Sequence, residues 1–166
     1  MRGVAALSLA LGLSCATTRW PDEPGVPVEL SLAANVDAGD AFLSALTAAR
    51  NAQGLSAPIV TPRYQPDIRT FAQDLQAGRT SAAGAQRAIE TWGRTAFRRP
   101  VESWVVDCSA GQSAKLPSSL VDRPAAVVFY AAAHFRPRSQ GSDQCAVLVV
   151  ALTDKTELVQ FDSALK

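Results

Sequence analysis

Two apolar runs decide the fold: Ala125-Ala-Val-Val-Phe-Tyr-Ala-Ala-Ala-His134 and Cys145-Ala-Val-Leu-Val-Val-Ala-Leu152. The loop between them is rich in Arg, Ser, Gly and Asp, which is typical of the turn of a hairpin. Neither run alternates apolar with polar residues, although a strand with one face in water would do so. The pattern therefore predicts the central hairpin of a sheet covered on both faces, with Val127 and Val149 shielded from water.

The cover comes from the first half of the chain, where three amphipathic helices are predicted. The second shows the pattern most clearly, with apolar residues at the spacing i, i+3, i+4, i+7 from Ile68 to Leu75. Capping residues and glycines set the limits of all three. The predicted helices run from Asp40 to just before Gly54, from about Pro66 to Gly78, and from Thr80 or Ser81 to Gly93.

One further strand is predicted over Val101-Glu-Ser-Trp-Val-Val-Asp-Cys108, with Trp104, Val106 and Cys108 on one face. Residues 109–123 are mostly polar and have room for one short helix. Because helices come first and strands last, the fold class is α+β. Three N-terminal helices are expected to pack on a small antiparallel sheet that has the C-terminal hairpin at its centre.

Composition limits the number of domains and the class of partner. The chain has 166 residues, 48% of them hydrophobic, which is enough for one domain with its own core and too little for two. Sixteen Lys and Arg oppose fifteen Asp and Glu, so the net charge is only +1. Nucleic-acid-binding domains usually carry a clear basic excess, so no nucleic-acid partner is expected.

The N-terminus has the features of a secretory signal peptide, predicted over residues 1–14. A basic start is followed by an apolar run over residues 3–13, which is too short to span a bilayer, and then by small residues. Such a segment implies export and removal from the mature chain. Ordinary signal cleavage after Ala16 would give a secreted soluble protein, and this is the alternative to cleavage before Cys15 with a lipid attached to that cysteine.

The end of this segment, Leu11-Gly-Leu-Ser-Cys15, resembles the lipobox of bacterial lipoproteins, although Gly12 stands where that family prefers Leu. The resemblance implies that Cys15 carries lipid and anchors the chain to a membrane. Residues 15–36 would then form a lipidated N-terminus and an extended tether. Ala16 resembles the residue found in lipoproteins sent to the outer membrane, where the domain would face the periplasm.

The three cysteines of the chain also fit a lipid on Cys15. An exported protein with three cysteines has one left over, and lipidation of Cys15 leaves Cys108 and Cys145 as a pair. An oxidising compartment favours a disulfide between them, while two separate buried thiols are the alternative. In a simple meander these two residues would lie at opposite edges, so the bridge requires residues 109–124 to cross the sheet before the hairpin begins.

The order of elements resembles the CAP superfamily, the SCP-like extracellular domains, in its short bacterial form. The resemblance covers about Asp40 to Leu152 and rests on four segments. They are the helix Phe42 to Leu55, the helix Pro66 to Leu75, the element Arg87-Ala-Ile-Glu-Thr-Trp-Gly93, and the strand start Val101-Glu-Ser103. It implies a single CAP-like domain over residues 37–166, built as an α-β-α sandwich.

The family's cavity typically carries two His and two acidic residues and can bind a divalent metal. Here only Glu102 falls on a matching position, with Ser103 in place of the usual Asn, and the sole histidine, His134, falls at the end of a strand. Glu102 and His134 are therefore the candidate cavity residues, and no metal or cofactor is expected. The alternative is a solvated carboxylate at a strand edge and a histidine that caps a strand.

The function expected from these features is non-catalytic. The chain is predicted to be an envelope-associated bacterial lipoprotein whose CAP-like domain binds or scaffolds an envelope lipid, glycan or protein. One alternative is a degenerate hydrolase-like enzyme that uses Glu102 and His134. Another is a structural module for envelope assembly.

Overall fold

The computed structural model describes residues 20–29, 32–97, 101–108, 116–123 and 127–152, with the backbone alone for Leu32 and Ala33. Within these ranges the fold is mixed α+β, with four helices and a sheet of short and long strands. The helices are α1 (Leu32–Ala52), α2 (Gln65–Gln76), α3 (Ala82–Phe97) and α4 (Ser118–Val121). The strands are β1 (Gly25–Val26), β2 (Ile59–Val60), β3 (Glu102–Asp107), β4 (Val127–Pro137) and β5 (Gln144–Leu152).

The predicted hairpin is confirmed. β4 and β5 pair antiparallel from Val127 opposite Leu152 to Phe135 opposite Gln144. Val127 and Val149 are 1% and 0% exposed, so the two strands that lack alternation are covered on both faces.

The order of the strands is β1-β4-β5-β3, and β2 also pairs with β4. β3 lies beside β5, so the connection from β3 to β4 passes β5, as the predicted disulfide requires. Cys108 and Cys145 are bridged, with their Cα atoms 4.9 Å apart, and the Cys108 N–H donates to the Cys145 carbonyl at 2.9 Å. α4 lies within this crossing connection. The prediction of the disulfide and its topological consequence are both confirmed.

Alternate residues of the hairpin strands enter two separate apolar clusters, because successive side chains of a strand point to opposite faces. One cluster joins Phe129 and Phe135 to side chains of α2 and α3. The other joins Val128 and Ala132 to side chains of α1 and α4, with Val106 among its members and with Trp104 and Cys108 packed against it. The predicted common face of those last three residues is therefore confirmed.

The first helix begins eight residues earlier than predicted, at Leu32 instead of Asp40. The alternation around Val26 favours a strand, but among the described residues only Gly25–Val26 of this segment pairs with β4, and α1 begins at Leu32. Gly39 lies inside α1 against Tyr130, where an added Cβ would come within 3.1 Å of the ring carbon Cε2. This glycine lets the helix and the strand approach closely.

The third helix does not end at Gly93 but continues to Phe97. Gly93 is buried, and an added Cβ would lie 2.9 Å from Cγ1 of Val101. This glycine is therefore required by packing. The start of α3 follows the prediction, since Ser81 Oγ accepts a hydrogen bond from the Gly84 N–H at 2.9 Å, which is the contact of an N-cap.

Residues 20–29, which fall within the predicted tether, pack against the domain. The Trp20 indole N–H donates to the Val105 carbonyl at 3.0 Å, and its ring lies 5.6 Å from that of Phe135. Asp22 accepts hydrogen bonds from Ser81 and Arg87. Residues 20–29 are therefore fixed against β3, β4 and the start of α3, and residues 32–36 of the predicted tether belong to α1.

Candidate functional site

An incomplete edge of the sheet borders a cavity in the described part of the chain. One edge of β4 pairs with β5 along most of its length. Among the described residues the other edge pairs only near its ends, with β2 at Val127–Val128 and with β1 at Arg136–Pro137. Between these two pairings a cavity of about 340 Å³ lies between α1, α2 and β4. Its lining comprises Asn35, Val36, Gly39 and Asp40 of α1; Gln65, Arg69, Ala72, Gln73 and Gln76 of α2; and Tyr130, Ala131 and Ala132 of β4.

Gln65, the first residue of α2, contacts the free edge directly. Its side-chain oxygen accepts a hydrogen bond from the Tyr130 N–H at 3.0 Å. The N–H of Tyr130 therefore points away from β5. A side-chain amide here takes the place that a neighbouring strand would occupy, so the edge is partly satisfied without a strand.

A chain of amides closes the other end of the cavity. Nδ1 of His134 lies 2.8 Å from Oδ1 of Asn35, and Nδ2 of Asn35 donates to Oε1 of Gln76 at 2.6 Å. Nε2 of Gln76 then donates to the Val28 carbonyl at 3.2 Å, and the Val28 N–H returns a bond to the Gln76 carbonyl at 3.0 Å. These contacts fix the segment before α1, both helices and β4 relative to one another.

Burial lowers the pKa of His134, and the nearby carboxylate of Asp143 opposes this shift. The imidazole is therefore held neutral near pH 7, with Nδ1–H donating to the Asn35 oxygen. In that state His134 positions Asn35 at the cavity wall and carries no charge.

The cavity carries little net charge. Asp40 and Arg69 are its one acidic and one basic lining residue, and both are exposed. Burial raises the pKa of Tyr130, as does Asp40, while Arg69 opposes the shift. The phenol therefore stays protonated at neutral pH and can donate as well as accept a hydrogen bond. The site offers hydrogen bonds from amides and a phenol, which suits a neutral polar ligand.

The structure does not bring Glu102 and His134 together. Glu102 lies opposite Ala151, which lies opposite Val128, and His134 is six residues further along β4. At about 3.3 Å per residue these two side chains start roughly 20 Å apart along the sheet. Glu102 is exposed and pairs with Arg123. Neither predicted residue lines the cavity, which His134 reaches only through Asn35.

Sequence reasoning missed the most buried charged side chain among the described residues. Arg50 of α1 is 0% exposed and donates to the carbonyls of Ser56 (2.7 Å), Val121 (2.9 Å) and Arg123 (2.8 Å). Burial lowers the pKa of its guanidinium. Its position four residues after Leu46 on the apolar face was the available signal. By these contacts Arg50 fixes α1 to the end of α4, away from the cavity.

The lining amides were missed for a different reason. Asn35 and Gln65 have no motif around them, and they acquire a role only where two helices meet an unpaired strand edge. Among the described residues no cluster of three His, Cys, Asp or Glu side chains could hold a metal. No helix in the same ranges is long and apolar enough to cross a membrane. Cys15, the predicted lipid site, lies outside the described residues.

Comparison with known proteins gives no significant match to a protein-family model, to a curated protein or to a solved structure.

Proposed function

We propose that this chain is an exported, lipid-anchored envelope protein whose single domain binds a ligand without catalysis. The cavity beside β4 carries this proposal. The amides of Asn35, Gln65 and Gln76 are fixed by hydrogen bonds to backbone groups or to neighbouring side chains, so their positions are set before a ligand arrives. Preorganised hydrogen-bonding groups in a concave site are the usual basis of small-ligand recognition.

A CAP-like α-β-α sandwich is our proposal for the architecture. It is supported by the order of elements, in which three helices precede one strand, a short helix and a hairpin. It is also supported by the two apolar clusters, which use alternate residues of β4 and β5. The cavity proposed here uses α1, α2 and β4, and the family-like position Glu102 lies outside it.

A hydrolase-like use of Glu102 and His134 is disfavoured by their separation. A general base must come within hydrogen-bond reach of the proton that it removes, either directly or through one water. Two groups that lie roughly 20 Å apart along the sheet cannot serve one small substrate together. A hydrolytic activity that the wild type shows and the double variant E102Q/H134Q lacks would restore this alternative.

Lipid anchoring is proposed from the segment Leu11 to Cys15 alone. Intact mass of the protein extracted from bacterial membranes tests it, because a lipid on Cys15 adds the mass of the acyl groups to a chain that begins at residue 15. The variant C15A should lose that mass and leave the membrane fraction. An unmodified chain starting at residue 17 would establish secretion instead.

Ligand binding is tested at the cavity rim. Gln73 is an exposed lining residue on α2, so Q73W should fill the cavity without disturbing the core. Q53W places the same side chain at an exposed position beyond the end of α1 and serves as the control. Envelope lipids, glycan fragments and short peptides are titrated against each protein while backbone amide resonances are followed by NMR. A ligand that shifts the resonances of Tyr130 and Ala132 in Q53W but not in Q73W supports the proposal. The proposal is refuted if none of the three classes contains such a ligand.

A further inference from the structure

We infer that the ligand of this cavity is a short extended peptide that pairs with the backbone of β4 at Ala132. The inference rests on the proposed function, since it names the ligand class of the same cavity. It depends on the direction of backbone groups along the free edge, which the contacts of β4 establish.

The N–H of Tyr130 points out from the free edge, because it donates to Gln65 and not to β5. Backbone groups of a strand alternate between its two edges, so residues two apart share a direction. The N–H and C=O of Ala132 therefore point to the same free edge. Ala132 lines the cavity, and within the described ranges neither of these two groups has a hydrogen-bond partner.

The free edge of β4 already pairs with one strand on each side of Ala132. Val60 pairs with Val128 in parallel register, and Val26 pairs with Arg136 in antiparallel register. Val128, Ala132 and Arg136 are separated by even numbers of residues, so all three present their backbone to this edge. The geometry needed for strand pairing is therefore continuous, and among the described residues no strand pairs with its centre.

The length of the free edge limits the ligand to a few residues. Gln65 occupies the position at Tyr130, and the contact between His134 and Asn35 closes the other end. About three residues remain between them, or roughly 10 Å at 3.3 Å per residue. A volume of about 340 Å³ is near the lower end for small-ligand sites and agrees with a segment of this length.

The lining also suits a peptide backbone. Gln73 adds a further side-chain amide that can both donate and accept, as peptide groups require. Ala72 and Ala131 are small and leave room for short side chains. Opposite charges on Asp40 and Arg69 leave no net field that would select an anion or a cation.

The first experiment uses a library of N-acetylated tripeptide amides passed over the immobilised full-length protein, with retained peptides identified by mass. Q73W and Q53W are treated in the same way. Peptides retained by the wild type and by Q53W, and depleted at least tenfold on Q73W, support the inference. The inference is overturned if the wild type retains no peptide more strongly than Q73W does.

The second experiment separates backbone pairing from simple occupancy. In the best retained peptide each amide is replaced in turn by an ester, which removes one N–H and weakens the neighbouring acceptor. We expect one replacement to weaken binding about three- to tenfold, because one backbone hydrogen bond is lost. Equal binding of every ester would overturn the pairing at Ala132 and leave the binding site in place. A cavity that takes an acetylated sugar or a lipid and no peptide would overturn this inference while supporting the proposed function.

Discussion

The side-chain oxygen of Gln65 accepts the hydrogen bond that the N–H of Tyr130 would otherwise give to a neighbouring strand, at 3.0 Å. This contact couples the first residue of α2 to the free edge of β4. The edge is thereby protected at one position and remains available two residues further on. A helix that covers an edge strand usually protects it from aggregation, and here the same helix also forms one wall of the cavity.

Replacing Gln65 by Leu should lower the free energy of unfolding by about 1–2 kcal/mol, because the half-buried Tyr130 N–H loses its acceptor. Urea unfolding followed by circular dichroism measures the change. Gln73→Leu is the matched control, since Gln73 is exposed and lies on the same helix, and it should change stability by less than about 0.5 kcal/mol. Equal effects of the two substitutions would show that the bond to Tyr130 contributes nothing.

Arg50 provides a prediction for the interior. Replacing it by Met removes the donor to three carbonyls, those of Ser56, Val121 and Arg123, and leaves buried acceptors without partners. We expect a loss of roughly 3 kcal/mol or more in the free energy of unfolding. Arg50→Lys should recover little of it, because a single ammonium cannot reproduce the planar fork that spans these acceptors.

The control for Arg50 is Arg94→Met, at an exposed position near the end of α3. It should leave the urea midpoint close to that of the wild type. A wild-type midpoint for Arg50→Met would mean that the buried guanidinium is energetically replaceable by an apolar side chain of similar length.

The hairpin could be predicted from sequence because its signal does not depend on distant residues. A strand of eight consecutive apolar residues, from Cys145 to Leu152, is expected to be covered on both faces whichever strand it pairs with. All eight residues are buried in β5. The position of β3 beside β5 also followed from the chain, since a bridge between Cys108 and Cys145 permits few arrangements.

Other features depend on contacts that a local pattern does not contain. Gly39 and Gly93 are typical of helix ends in sequence, yet each is needed where a helix approaches a neighbouring residue closely, at Tyr130 and Val101. The cavity also depends on contacts between distant parts of the chain. It arises because β1 and β2 are too short to cover the edge of β4, and strand length is poorly determined by composition. Glu102 was predicted from a family pattern and His134 as the single histidine of the chain, and neither argument carries information on their separation here.

The disulfide should contribute substantially to stability. Cys108 and Cys145 are 37 residues apart, and closing a loop of that size in the unfolded chain corresponds to about 3–4 kcal/mol. We expect the double variant C108S/C145S to lose roughly this amount in urea unfolding. Adding a reductant to the wild type should lower its midpoint to that of the variant, and the variant itself should not respond. A midpoint unchanged by reductant in the wild type would contradict the expectation.

The single histidine of the chain permits a clear test of pH dependence. Burial lowers the pKa of His134 in the folded state, so the unfolded chain binds more protons just below pH 6.5, the ordinary value for histidine. Stability is therefore fully present above about pH 6.5 and is lost as pH falls from there toward the folded-state pKa. Thermal unfolding between pH 7.5 and 5.5 should show a falling Tm in the wild type and a nearly flat one in H134Q. Because Asp143 raises the pKa of His134, D143N should steepen the fall, and identical slopes in all three proteins would exclude His134 as the titrating group.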